Sequence, residues 1–121
     1  MSNPTATPTT LAYRHQVAVS AATGAAISKA AWMAFGSGSK AYSPDEDVAL
    51  VAEFARVPVT CSVVGAVLTV RGNMGGILAA DNVLREFGVF TESGVLMGRR
   101  VVKPKEFEST SEIELDLDFE Y

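Results

Sequence analysis

Glu112-Ile113-Glu114-Leu115-Asp116-Leu117-Asp118-Phe119-Glu120-Tyr121 closes the sequence in strict alternation. Successive side chains of a β-strand point to opposite faces. Ile113, Leu115, Leu117, Phe119 and Tyr121 are therefore expected to face a core, and Glu112, Glu114, Asp116, Asp118 and Glu120 to face away from it. Such a pattern belongs to an antiparallel sheet with one solvated side. The five acids also discourage pairing with a foreign strand. Three readings stay open for the acidic face: solvation, a divalent cation, or contact with basic partner residues. Carboxylates two residues apart on a strand stand about 6.6–6.8 Å apart, whereas calcium needs oxygens converging at about 2.3–2.6 Å, so no metal is expected.

Upstream the same period recurs. Val57, Val59, Cys61 and Val63 alternate with Pro58, Thr60, Ser62 and Val64; after a turn at Gly65, Ala66, Leu68 and Val70 alternate with Val67, Thr69 and Arg71. This predicts a hairpin with Cys61 on its inward face and Pro58 at an edge or bulge. Gly72-Asn73-Met74-Gly75-Gly76 reads as a loop. Val83–Phe90 and Val95–Val102 read as two strands joined through Thr91-Glu92-Ser93-Gly94, with Lys103-Pro104-Lys105 ending the second. A further strand is expected over Ile27–Phe35, followed by a Gly36-Ser37-Gly38-Ser39 loop.

The N-terminal part is different. Residues 1–10 are rich in Pro, Thr and Ala and read as a flexible arm. A helix is expected over about Thr9–Ala22, capped by Thr9 or Thr10 and stopped by Gly24, with Leu11, His15, Ala18, Val19 and Ala22 on its buried face. A short second helix is expected with Ser43 as N-cap, Pro44 in the first position and Asp45, Glu46 and Asp47 in the first turn, ending near Val51. The fold class is thus α+β, mostly antiparallel β in a sandwich-like arrangement. Residues 11–121 form a single domain behind the arm.

Composition narrows the function. A chain of 121 residues is one domain, and 48% apolar residues exclude overall disorder. Ten basic against fourteen acidic residues give a net charge of −4, which argues against nucleic acid as a partner. One cysteine and one histidine build neither a disulfide framework nor a usual zinc site. No apolar run reaches membrane-spanning length, and the start lacks the basic and apolar regions of a secretory signal.

Few residues suggest chemistry. Gly36-Ser37-Gly38-Ser39-Lys40 lacks phosphate-loop spacing and a βαβ frame. His15 has no nearby nucleophile or carboxylate, so with Glu53 and Glu86 it does not frame a catalytic site, and no catalytic residue, cofactor or metal is expected. Glu53 and Arg56 stand i, i+3. Arg85-Glu86 interrupts an apolar strand, and a charge facing inward there needs a partner, for which Arg56 or Glu53 are candidates. Arg99, Arg100, Lys103 and Lys105 form a basic cluster that either meets the acidic strand of this chain or a neighbour, or stays solvated.

Several segments occur in a telling order: Trp32-Met33-Ala34-Phe35-Gly36-Ser37-Gly38, then Leu50-Val51-Ala52-Glu53-Phe54-Ala55-Arg56-Val57-Pro58-Val59, then Leu84-Arg85-Glu86-Phe87-Gly88-Val89-Phe90 with Ser93-Gly94-Val95-Leu96-Met97, then Lys103-Pro104-Lys105 and the terminal strand. The set resembles the N-terminal, baseplate-attachment domain of phage tail-collar fibre proteins, over about Leu11–Tyr121. It departs from that family in the aromatic Phe35 before the turn, in Thr91-Glu92-Ser93 where aspartates are usual, and in the order of Lys103 and Pro104. The family domain continues into a fibre, whereas this sequence stops at Tyr121 as a stand-alone short chain.

The resemblance implies a non-enzymatic structural part of a phage or phage-derived tail, an adaptor between baseplate and tail fibre. It further implies several copies per particle and assembly in the host cytoplasm into the virion tail. Its partners would be other tail and baseplate proteins and a tail fibre, with no nucleic acid and no membrane. Interface candidates are Trp32, Tyr42, Arg99, Arg100, Lys103, Lys105, the five acids of the last strand, and Tyr121, which would anchor either internally or in a neighbour. The alternative is a small carbohydrate- or ligand-binding β module on the particle surface, with Trp32, Tyr42 and Phe35 stacking on a sugar.

Overall fold

The computed structural model describes residues 5–121. One helix, α1 (Leu11–Thr23), precedes seven strands: β1 (Ala30–Gly36), β2 (Glu53–Pro58), β3 (Thr60–Val64), β4 (Val67–Gly75), β5 (Leu84–Thr91), β6 (Leu96–Lys105) and β7 (Glu112–Glu120). A single helical turn, α2 (Gly76–Ala79), sits between β4 and β5. All pairings are antiparallel. They build a four-stranded sheet in the order β2-β1-β5-β6 and a three-stranded sheet in the order β3-β4-β7. The fold is the expected α+β class dominated by antiparallel strands.

The two sheets share one core. Met33, Phe35, Phe87, Val89 and Met97 of the larger sheet are buried with Val70, Met74, Leu117 and Phe119 of the smaller. Each fully buried side chain of this kind contributes roughly 1.5–3 kcal/mol by removal from water. A second, smaller cluster of Ala34, Leu50, Phe90 and Leu96 lies on the other face of the larger sheet. The middle of the larger sheet is thus buried on both sides, by the smaller sheet and by the 37–52 connection.

Strand β7 alternates as its sequence demands, with Leu117 and Phe119 buried and Glu112, Glu114, Asp116 and Glu120 exposed. The strand expected over 57–64 is instead two. Its chain leaves the larger sheet after Pro58 and joins the smaller at Thr60, and Val59 N–H donates to Ala31 O at the crossing. The loop expected over 72–76 is also corrected. Gly72–Gly75 pair with Glu112–Leu115, which brings Met74 into the core. Lys103-Pro104-Lys105 does not end β6, because β6 is an edge strand and proline's missing N–H costs no ladder bond on an open side.

Helix α1 begins where Thr10 Oγ1 accepts from Tyr13 N–H and ends at Gly24 with φ +75°. Its expected buried face is the exposed one: Leu11 and Val19 face solvent and Tyr13 is buried. Thr10 is tied to the sheet by N–H to Met97 O and hydroxyl to Leu96 O. Those bonds set the phase of the helix, and one tyrosine ring buries more area than a row of alanines.

The arm expected over 1–10 includes residues 1–4, which lie outside the described residues. Farther along, Thr7 N–H donates to Asp118 O, and Thr7 and Thr10 are buried, so this stretch is docked rather than flexible.

Candidate functional site

The most constrained point in the molecule is a carboxylate. Glu86 on β5 points away from the inter-sheet core, and its side chain is 0% exposed. Oε2 accepts from Gly38 N–H and Ala52 N–H, both at 2.8 Å. Oε1 accepts from Val51 N–H at 2.9 Å and from Arg99 Nε at 2.7 Å. Arg99 on β6, also 0% exposed at its side chain, donates onward to Asp47 Oδ2 and to Lys40 O. Burial pushes the Glu86 carboxyl up in pKa, but the bonds from Arg99, Val51, Ala52 and Gly38 outweigh it and hold the group below its ordinary value. A carboxylate with four donors has no free lone pair to act as a base.

Local sequence explains why the clamp closes. Gly36 and Gly38 approach Glu86 so closely that a Cβ would stand 2.6 Å and 2.5 Å from its Oε2, and at Gly38 also 2.3 Å from Val51 Cβ. The short helix expected after Ser43 is a single turn, with Glu46 N–H and Asp47 N–H both donating to Ser43 O. It goes no further because Asp47 is drawn to Arg99 and to Ser43 N–H. Beyond it, the N–H groups of Val51 and Ala52 serve Glu86 rather than a helix.

The expected partner of Glu86 is therefore corrected: it is Arg99, and neither Arg56 nor Glu53. Those two form their own bidentate pair, Arg56 Nε and Nη2 to Glu53 at 2.9 and 2.8 Å, and the Arg56 guanidinium lies 4.2 Å from the centre of the Phe90 ring. Arg85 is half-buried and makes no ion pair among the described residues. Arg99 is likewise not part of an exposed basic cluster, whereas Arg100, Lys103 and Lys105 are exposed. On the acidic strand the ion-pair partner is Arg71 of β4, bidentate to Asp116 at 2.7 and 3.0 Å and also facing Glu114. The bonds and charge of Arg71 hold the Asp116 carboxyl low. Asp118 accepts from Thr69 Oγ1, and Glu112 and Glu120 are exposed.

The three aromatics named for sugar stacking do not meet on one surface. Phe35 is in the inter-sheet core. Trp32 lies on the larger sheet with Phe90 and Pro58 as cross-strand neighbours. Tyr42 donates to Pro8 O beside a cleft of about 460 Å³ that Arg100 also lines; burial, then Asp47, raises its pKa to about 12. Tyr121 caps the open end of the smaller sheet. Its N–H donates to Ala66 O, its ring packs edge-on against Tyr13 at 6.4 Å, and the two hydroxyls are 3.2 Å apart. Among the described residues no cluster of three potential metal ligands occurs, and no helix is long and apolar enough to cross a membrane.

The sequence read Arg85 or Glu86 as a pinned core charge without choosing between them, and did not find the partner. A signal was present: counting back from a Thr91–Gly94 turn brings Arg99 opposite Glu86, and the register shift between Val89 and Phe90 sets it opposite Gly88, diagonal to Glu86. Fold and site together define a two-sheet antiparallel α+β protein whose innermost charges fasten a long connection to a sheet. No family model, no curated protein and no solved structure matches the chain.

Proposed function

We propose that this chain is a non-enzymatic structural component of a phage or phage-derived tail, an adaptor that links tail fibres to the baseplate in several copies per particle. Its partners are other tail and baseplate proteins and a fibre, and it works without cofactor or metal.

The observation that carries this reading is the convergence on Glu86. The Gly36–Gly38 turn, the Val51–Ala52 stretch and the Glu86 strand are three of the segments that resemble tail-collar domains, and they meet through three backbone hydrogen bonds. Their chemistry is architectural. They fix a 16-residue connection whose outer side presents Val48 and Val51 to solvent, and an adaptor needs such fixed surfaces to orient several neighbours. Apolar groups there and along α1 supply affinity, and the acidic β7 face and the exposed Arg100, Lys103 and Lys105 supply orientation.

Co-expression with adjacent baseplate and fibre proteins, followed by light scattering, tests the reading. A co-complex of defined stoichiometry is expected. A chain that elutes alone from every mixture would contradict it and would turn attention to ligand binding at Trp32.

A further inference from the structure

The two sheets have four outer strands, and three are guarded against foreign pairing. Strand β2 carries Pro58 and the Glu53–Arg56 pair. Strand β6 carries Pro104, Lys103 and Lys105 and two register shifts. Strand β7 carries five acids. These are the devices by which natural sheets protect their edges.

Strand β3, Thr60-Cys61-Ser62-Val63-Val64, has none of them. It holds no charge and no proline, and its register with β4 runs unbroken. All five residues are exposed, Val63 at 67% and Val64 at 80%. Val64 and Val67 flank the two-residue loop Gly65-Ala66, where Gly65 takes φ +59°. In such hairpins the flanking pair exchanges both hydrogen bonds. Thr60, Ser62 and Val64 therefore bond to β4, and the N–H and C=O groups of Cys61 and Val63 point to the open side. Cys61 and Val63 also share a sheet face with their partners Val70 and Leu68. Val70 is fully buried there, while Cys61 and Val63 are not covered.

We infer that β3 pairs antiparallel with β3 of a second copy of this chain, forming a two-fold, six-stranded sheet. One register uses the whole strand: Cys61 opposite Val63, Thr60 opposite Val64, and Ser62 opposite its own mate. It pairs β-branched and small side chains, which suit cross-strand contact, and it satisfies the outward backbone groups of Cys61 and Val63 in both copies.

The uncharged strand is its own complement in this register, and charge leaves this edge open to contact between copies. Each chain carries a net −4, so copies repel wherever acidic faces approach. Joining the neutral strands puts the two acidic β7 strands at opposite ends of the sheet, five strand spacings or about 24 Å apart. That is well beyond the roughly 8 Å screening length at physiological salt. The contact goes beyond the tail reading and does not depend on it.

Ser62 tests the register directly. Opposed residues of a non-hydrogen-bonded antiparallel pair have Cα atoms about 4.5 Å apart, within the range that a disulfide spans. With the native thiol removed by Cys61→Ser, Ser62→Cys is expected to form a disulfide-linked dimer under mild oxidation. It should do so at least about tenfold faster than Thr60→Cys, whose mates lie about 14 Å apart in this register. Adding Val63→Lys to the Ser62→Cys chain should abolish the difference. Because all these positions are exposed, the fold should survive, and circular dichroism checks that it does. Equal rates for Ser62→Cys and Thr60→Cys would overturn the inference. So would concentration-independent amide shifts of Cys61 and Val63 up to millimolar protein, or a Ser62→Cys thiol that cross-links only to a different protein.

Discussion

Glu86 holds its negative charge in a fully buried position because four donors surround it, and each of those donors becomes a liability if the carboxylate is lost. Glu86→Gln keeps the shape but leaves Arg99 with only Asp47 to balance it. We expect the variant to lose roughly 3–5 kcal/mol in denaturant unfolding, the range for breaking one side of a buried pair. Glu86→Gln with Arg99→Met should recover part of that loss, since the stranded cation goes with its partner.

The same group sets a pH dependence. Its folded pKa lies below the ordinary carboxylate value of 4.5, so the unfolded chain binds the proton first as pH falls. The stabilisation is therefore complete above the ordinary value and drains away as pH falls through the depressed folded one. Acid titration of the unfolding free energy should show this drop in the wild type and a shallower one in Glu86→Gln. Asp116, held low by Arg71, contributes in the same direction but on the surface, where such pairs contribute little.

Among the elements, the 37–52 connection and α1 depend on single residues. A Cβ at Gly38 collides with Val51 and Glu86, so Gly38→Ala should cost about 1–3 kcal/mol by overpacking, read as a lowered melting temperature. Thr10 both caps α1 and anchors it to β6. Thr10→Ala should cost about 1–2 kcal/mol, with helical ellipticity lost before the sheet signal.

How much of each element was legible follows from what period and composition encode. Strand β7 and the hairpin of β5 and β6 were legible because alternation and turn residues are local. The break at Pro58–Val59 was not, since alternation does not say which sheet a strand joins. Gly72–Gly75 looked like a loop by composition, yet pairing with β7 and burial of Met74 override it. The face of α1 was misread because its apolar residues are small and its phase is set by Thr10's distant bonds. The clamp was half legible: a buried charge at Arg85 or Glu86 was apparent, but the loop amides that embrace Glu86 carry no side-chain signature.

At the scale of the whole molecule, two sheets, one helix and one long connection act as a single body because the middle of the larger sheet is covered on both faces. The smaller sheet covers one through the Phe35–Phe119 core, and the 37–52 segment covers the other through Leu50 and Glu86. Exposed apolar groups cluster on α1, on the outer side of that segment and on β3, while Ile27, Trp32, Leu78 and Tyr121 are exposed singly elsewhere.

Hydrogen exchange at the amides of Gly38, Val51 and Ala52 reads the clamp itself. At neutral pH these three should be protected like the strands of the larger sheet. In Glu86→Gln they should lose protection by more than about tenfold, one decade being 1.4 kcal/mol of local opening, while β4 and β7 keep theirs. Free exchange of the three amides in the wild type, or protection unchanged in the variant, would contradict a connection fastened by one buried carboxylate.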